Sequence, residues 1–242
     1  MYAVFKRELF SFLNSSVAYI TIGIFLLACA MLLWFFPDTS ILDYGYAELN
    51  GFFSLVPFLF MFLIPAITMR SFAEERREGT YVILATKPLT INQIIWAKYL
   101  SCVVLMLLAL LPTLIYYYSV YQLGLPKGNI DSGAVIGSYL GLFLLGIAFT
   151  SIGIFASSIT KNQVIAFAVA VFLCFFTFSG FESIGQLFEL QTLGVLLINL
   201  GINEHYQSIS RGVLDTRDLV YFITLTAVFL GFTNLVIGGR KW

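Results

Sequence analysis

Charged residues are scarce in this sequence. Lys, Arg, Asp and Glu together make up 11% of its 242 residues, whereas a soluble domain contains about 25%. Hydrophobic residues account for 60% of the chain, and the mean hydropathy is +0.92. This composition excludes a soluble fold of this size and predicts a membrane protein.

A surplus of positive charge is also missing. The 13 basic residues balance the 13 acidic residues, and the basic ones occur in ones and twos. A nucleic-acid-binding protein carries a basic stripe that neutralises phosphates. The sequence has no such stripe, so it excludes that class of function.

Cysteine and histidine are rare as well. Cys29, Cys102 and Cys174 stand in apolar runs without Cys-x-x-Cys spacing, which argues against a disulfide framework or a zinc site and favours a packing role. His205, the single histidine, adjoins Glu204. Zinc takes three or four ligands, so we predict no metal site.

Long charge-free stretches dominate the chain instead. A helix that crosses a bilayer needs about 20 mostly apolar residues. The stretches predict an all-α integral membrane protein, a single transmembrane domain over residues 1–242 with six spans. These spans are placed at 17–36, 52–69, 100–121, 134–157, 164–181 and 219–239.

The apolar stretch 190–203 is too short to cross and contains Gly194 and Gly201. It predicts re-entrant or interfacial helices before span six. They would belong to an extracytoplasmic segment over 182–218.

The distribution of Lys and Arg predicts the orientation, because short cytoplasmic loops are enriched in positive charge. With both termini in the cytoplasm, ten basic residues lie inside and three outside. The inside set is Lys6, Arg7, Arg70, Arg76, Arg77, Lys87, Lys98, Lys161, Arg240 and Lys241, and the outside set is Lys127, Arg211 and Arg217. We therefore expect a multi-pass membrane protein with both termini in the cytoplasm.

The first 16 residues predict a separate amphipathic helix. Tyr2, Phe5, Leu9 and Phe12 recur at helical spacing with charged residues between them. Such a helix lies on the membrane surface. The alternative is that residues 1–16 simply extend the first span.

The predicted cytoplasmic loop between spans two and three, residues 70–99, is the most informative segment. Ser71 with Glu74, and Thr90 with Gln93, each have the spacing of a capping box, which predicts two short helices, the first ending at Gly79. Charged residues are followed at once by an apolar patch, which favours a docking surface for a cytoplasmic partner over a merely solvated face. The predicted docking residues are Glu74, Glu75, Arg76, Arg77, Glu78, Gly79, Thr80, Tyr81 and Leu84.

Glycine and proline mark positions of packing and bending. Gly137 and Gly141 form a Gly-x-x-x-Gly pair in span four, which permits close helix packing. Pro57, Pro65 and Pro112 are expected to kink spans two and three.

Catalytic chemistry is absent from the sequence. The six predicted spans contain no Asp, Glu, Lys, Arg or His, and the chain has no phosphate-binding loop, zinc-protease motif or nucleophile elbow. We therefore expect no enzyme activity and no cofactor in this chain. Any ATP and Mg²⁺ would be bound by a partner ATPase.

The layout and local sequence resemble the membrane subunit of an ABC exporter of the second exporter class. The resemblance rests on several short sequence motifs. They are Glu74-Glu75-Arg76-Arg77-Glu78-Gly79-Thr80, Lys87-Pro88-Leu89 and Trp96-Ala97-Lys98-Tyr99, and, towards the C-terminus, His205-Tyr206 and Ser210 to Asp215. The resemblance implies a coupling helix between spans two and three that contacts a separate cytoplasmic ABC ATPase.

Within that family the chain is most similar to the permease subunits of gliding-motility transporters, the GldF type. That similarity implies an ATPase of the GldA type and either a second membrane subunit of the GldG type or a second permease copy, in a hetero-oligomer. An alternative function is an unpowered membrane scaffold or anchor in a multiprotein complex. A channel or carrier is least favoured, since the predicted spans offer no charged path.

Overall fold

The computed structural model describes residues 1–36, 39–41, 45–80, 89–188, 192–213 and 215–239. Throughout these residues the regular structure is helical. The helices are α1 (Tyr2–Leu13), α2 (Ser16–Trp34), α3 (Asn50–Thr68), α4 (Arg70–Arg77), α5 (Ile91–Leu110), α6 (Leu114–Leu123), α7 (Ser132–Ile159), α8 (Gln163–Phe175), α9 (Phe181–Leu187), α10 (Thr192–Leu200), α11 (Ile202–Ser210) and α12 (Thr216–Gly238).

Six helical runs within the described ranges are long and apolar enough to cross a membrane, which confirms the predicted all-α fold with six spans. Several runs combine two helices with a short bend between them. The six runs are Ser16–Trp34, Asn50–Arg77, Ile91–Leu123, Ser132–Ile159, Gln163–Leu187 and Thr216–Gly238. They are called spans one to six below.

Span four is the centre of the bundle. Helix α7 packs most extensively against α3, α8 and α12, and also against α4, α5 and α11. Most of its residues between Leu142 and Ser158 are buried. The apolar side chains of the other helices therefore form their common core around span four.

The first helix is separate from span one. Ser15 has an extended backbone, with φ −93° and ψ 127°, between the end of α1 and the start of α2. This break rules out the alternative in which residues 1–16 extend the first span. The buried positions of α1 are Val4, Glu8 and Phe12, and the helix packs along α5.

The four hydrophobic residues predicted for the stripe of α1 pack against the rest of the protein to different degrees. Phe12 is buried and Phe5 and Leu9 are half-buried, but Tyr2 is 74% exposed. Packing against α5 selects the Val4–Glu8–Phe12 face instead, because residues four apart lie one above the other on a helix.

Polar caps set the start of several helices. The predicted capping box at span three is confirmed, because Thr90 accepts a hydrogen bond from the Gln93 backbone N–H and the Gln93 side chain accepts one from the Thr90 N–H. Three other helices have a one-way cap, in which a side-chain oxygen accepts a hydrogen bond from a backbone N–H of the first turn. The capping residues are Asp131 for α7, Asn162 for α8 and Asp215 for α12.

Two spans contain interruptions of the α-helix. Pro112 lies in a 3-10 turn, Leu111–Thr113, between α5 and α6, as expected from a residue that lacks a backbone N–H. In span five, a π-helical turn over Phe176–Gly180 joins α8 to α9. The sequence pattern does not predict that turn.

Helices α9 and α10 form a tight hairpin before span six. A Cβ atom added to either Gly185 or Gly194 would lie 2.9 Å from the other residue's carbonyl oxygen, so the two glycines bring the backbones together. The outer side of α10 exposes Leu193, Leu196 and Leu200. Its nine residues are too few to cross a bilayer.

Candidate coupling site

A fully buried lysine joins three helices at one end of the bundle. Lys98, in the second turn of α5, has 0% of its side chain exposed. Its Nζ donates to the Ser71 carbonyl oxygen at 2.7 Å and lies 3.2 Å from Glu8 Oε1 and 3.0 Å from Glu75 Oε2. Lys98 thus links α1, α4 and α5.

Arg7 completes this group of charges on its outer side. The same Nη2 of Arg7 donates to Glu8 Oε1 at 2.6 Å and to Glu75 Oε1 at 2.7 Å. Burial disfavours the charged guanidinium, but the two carboxylates outweigh that effect and raise the pKa of Arg7. Arg7, Glu8, Glu75 and Lys98, named the charged hub below, hold two positive and two negative charges.

The hub is buried at its centre and accessible at its edge. Glu8 and Glu75 side chains are 11% and 16% exposed, while that of Arg7 is 52% exposed. The Phe72 ring covers Lys98 Nζ at 5.1 Å from its centroid, a cation–π contact. A buried charge without partners is strongly destabilising, so the four side chains depend on one another.

Helix α4 turns part of the predicted docking surface inward. Glu75 belongs to the hub, and Arg76 Nη1 donates to the carbonyl oxygen of Ser158 in α7. Glu74 forms an ion pair with Arg70 at 2.9 Å. The Arg70 guanidinium also donates to Ser15 Oγ at 2.7 Å, which ties α4 to the start of span one.

The end of α4 is open to solvent. Arg77, Glu78, Gly79 and Thr80 are all exposed. Gly79 has φ +71°, the left-handed conformation typical of a helix C-terminus and the one expected from the sequence. Of the remaining predicted docking residues, Tyr81 and Leu84 lie outside the described residues.

The capping box predicted at Ser71 and Glu74 is wrong. Helix α4 has Met69 at its N-cap and no side-chain cap, because α4 continues span two after a one-residue bend. Ser71 is therefore not at a helix start. Its hydroxyl instead contacts Cys102 Sγ at 3.3 Å in the interior.

Ser157 of span four occupies the bend between α3 and α4. Its Oγ accepts hydrogen bonds from the backbone N–H groups of Phe72, at 3.0 Å, and Ala73, at 3.1 Å. The same hydroxyl donates to the Met69 carbonyl oxygen at 3.0 Å. A side chain inserted into a helix in this way supports a bend, so Ser157 ties the orientation of α4 to span four.

The predicted packing glycines lie on span four far from α4. A Cβ atom added to Gly137 would lie 2.9 Å from Gly212 Cα, and one added to Gly141 would lie 2.7 Å from Ile209 Cγ2. Both glycines therefore face α11 and the residues that follow it, and they allow that segment to approach span four closely.

A second polar cluster lies beside this segment. His205 Nδ1 is 2.7 Å from Asp218 Oδ1, and His205 Nε2 is 3.0 Å from the Asn199 carbonyl oxygen. Since a carbonyl oxygen can only accept, Nε2 carries a hydrogen, and a further hydrogen lies between Nδ1 and the carboxyl group. The Tyr221 ring stacks on His205 at 3.9 Å.

This cluster joins α10, α11 and the start of span six. Tyr221 Oη donates to the Leu200 carbonyl oxygen at 2.7 Å, and Tyr206 Oη donates to the Phe53 carbonyl oxygen at 2.6 Å. Nearby, the backbone N–H of Arg217 donates to Asp215 and lowers the pKa of that carboxyl group. In the described ranges, no group of three or more His, Cys, Asp and Glu residues is arranged to hold a metal ion.

Lys98 and Glu8 are site residues that were not predicted from the sequence. The predicted loop ends at residue 99, so it places Lys98 outside span three. The capping box at Thr90, however, predicts that the helix begins at Ile91, which places Lys98 inside it. Glu8 stands at helical spacing between Val4 and Phe12, and that spacing is the signal that could have revealed it. Ionisable residues therefore do lie within the helices that form the spans.

Comparison with protein families gives a match over most of the chain. The model of the ABC-2 family transporter proteins matches residues 39–233, a range that includes α4, most of the spans and the His205 cluster. Comparison with curated proteins gave no match for this sequence. The chain therefore belongs to the ABC-2 family of transporter proteins.

Proposed function

We propose that this chain is the permease subunit of an ATP-driven transporter in which α4 transmits the movement of a separate ATPase to the spans. The charged hub is the observation that supports the proposal, because it ties α4, whose C-terminal end is exposed, to α1 and α5. ABC-2 membership supports a permease with a partner ABC ATPase.

The contacts of α4 supply a route for transmission. It continues span two directly, it is held to span three through Glu75 and Lys98, and it is held to span four through Ser157. Because separating a buried ion pair costs several kcal/mol, a push on α4 moves α5 with it rather than breaking the hub. The ATPase would contact the exposed end, Arg77 to Thr80.

The finer identity rests on the resemblance in the sequence. We propose a gliding-motility transporter in a bacterial inner membrane, with the α4 end of the bundle in the cytoplasm. Its partners would be a GldA-type ATPase, which binds ATP and Mg²⁺, and a GldG-type membrane subunit or a second permease copy. The apolar α9–α10 hairpin would enter the opposite leaflet, since its exposed leucines require an apolar surrounding.

Co-purification tests the partner. The tagged chain, isolated from native membranes, is expected to carry an ABC ATPase and ATP hydrolysis. The charge reversals Arg77→Glu and Glu78→Lys together should remove most of that ATPase. The matched control is Lys127→Glu with Arg211→Glu, two exposed residues away from α4, which should leave its recovery unchanged.

The same purified complex can be used to distinguish an ATP-driven transporter from an unpowered scaffold. A cysteine introduced at the bend, Met69→Cys, should change its reaction rate with a thiol reagent when ATP is added in the presence of the ATPase. An eluate without an ATPase, or a rate that ATP leaves unchanged, contradicts the proposal and favours the scaffold.

Single-cysteine labelling tests the orientation. Cys29, Cys102 and Cys174 are all buried, so Thr80→Cys and Leu125→Cys provide new exposed thiols at different ends. Residue 125 is 91% exposed. A membrane-impermeant reagent applied to intact cells should label position 125 only, and labelling of position 80 would reverse the assigned orientation.

A further inference from the structure

A cavity of about 530 Å³ lies between α5, α7 and α12. Its volume falls within the range of small-molecule sites, about 300–1,000 Å³. Its shape and lining indicate which kind of molecule it can hold.

The two side-chain amides of the cavity lie at one end of it. Asn92 lies in the first turn of α5 and Asn234 in the last turns of α12, so both amides stand at the α4-side ends of spans three and six. Farther in, Tyr99 Oη is turned to the Ile147 carbonyl oxygen at 3.3 Å. Among the described residues, the lining contains no charged side chain, which argues against an ionic ligand in its deeper part.

The depth of the cavity corresponds to one leaflet. On α12 the lining runs from Asn234 to Ile223, eleven residues along one helix. At 1.5 Å per residue this is about 16 Å, and the hydrocarbon thickness of one leaflet is about half of 30 Å. A lipid chain that starts at the amides would therefore end near the bilayer centre.

The walls of the cavity can accommodate a flexible acyl chain next to two aromatic rings. Trp96 and Tyr99 meet edge to face with their ring centroids 5.6 Å apart, and Trp96 is 45% exposed. Aromatic rings of this kind favour the level of the lipid head groups. Across from them, Gly231 faces open space, since a Cβ atom added there would meet no atom within 4 Å.

We propose that this cavity binds one phospholipid of the leaflet on the α4 side, with an acyl chain between α5 and α12. The polar part of the lipid lies at Asn92 and Asn234, whose amides can bond to ester or phosphate oxygens. The acyl chain extends past Trp96 toward Thr226. The bound lipid closes the gap between spans three and six.

Native mass spectrometry tests this site with a defined probe. The protein is reconstituted into vesicles of phosphatidylethanolamine and phosphatidylglycerol, extracted in mild detergent and weighed intact. We expect one phospholipid retained per chain. Gly231→Phe fills the cavity and should reduce the retained fraction at least fivefold, whereas the matched control Gly23→Phe, at an open position of α2, should not.

The experiment remains decisive if the cavity-filling variant does not fold or if another molecule could occupy the cavity. If Gly231→Phe is not monodisperse, Ala227→Leu, at another lining position, replaces it. Because only phospholipid is supplied, a hydrophobic solute from the source membrane cannot produce the signal. No retained phospholipid, or equal retention in the cavity-filling and control variants, overturns the proposal.

Discussion

Lys98 Nζ and Glu75 Oε2 lie 3.0 Å apart, and the lysine side chain has no exposed surface. The pair belongs to a group whose two positive and two negative charges cancel. Its stability therefore depends on charge balance more than on any single contact. A variant that keeps the balance should be tolerated better than one that breaks it.

The first prediction concerns that balance. Lys98→Met leaves Glu8 and Glu75 with Arg7 as their only partner in the hub, and should lower the free energy of unfolding by about 3–5 kcal/mol. Lys98→Met combined with Glu75→Gln restores neutrality and should cost less than Lys98→Met alone. Thermal unfolding in detergent measures both, with the exposed Arg77→Ala as the control. A double variant less stable than the single one would falsify the idea of a balanced hub.

The second prediction concerns the bend between α3 and α4. Ser157→Ala removes the acceptor for two backbone N–H groups and the donor to Met69, and should cost about 1–3 kcal/mol because those groups stay buried. Ser158→Ala is the matched control, since that buried hydroxyl donates to the Phe155 carbonyl oxygen of its own helix. In the transporter, Ser157→Ala should also reduce transport per ATP hydrolysed. Equal effects of the two substitutions would contradict the assigned role.

The third prediction concerns the close approach of Gly137. Gly137→Ala would place its Cβ 2.9 Å from Gly212 Cα and 3.1 Å from the Gly212 carbonyl oxygen. Neither backbone atom can move aside cheaply, so we expect a loss of about 1–3 kcal/mol. Gly23→Ala, with open space around it, should instead gain about 0.5–1 kcal/mol from helix propensity. Melting temperatures that shift in the same direction would refute the contact.

How far the sequence predicts this molecule depends on the range of the interaction. The six spans and the Thr90 cap follow from local apolar length and side-chain spacing, and both are confirmed. The Ser71 cap failed because the same local motif occurs inside a continuing helix. Contacts between different helices depend on the tertiary structure. The spacing of residues in the sequence therefore does not predict that Glu8 and Glu75 both contact Lys98.

The sequence also does not predict which side of α4 is buried. Its charged run has no apolar stripe that would mark a buried side, and nothing in the pattern distinguishes Glu74 from Glu75. The structure distinguishes them, because Glu75 meets Lys98 whereas Glu74 pairs with Arg70 on its own helix. Ser157 is one of many hydroxyls in apolar spans, and only the packing of α7 on α4 reveals its partners.

The last prediction concerns His205 and Asp218. Asp218 is 6% exposed and depends on the imidazole for its partner, so His205→Leu leaves a buried carboxylate and should cost about 3 kcal/mol. Adding Asp218→Leu removes that carboxylate and should recover much of the loss. Glu204→Gln, a change at the exposed neighbouring residue, serves as the control. Hydrogen exchange of α11 should rise in His205→Leu and return toward its original rate in the double variant. If instead the double variant exchanges faster than His205→Leu, the histidine does not compensate the buried charge.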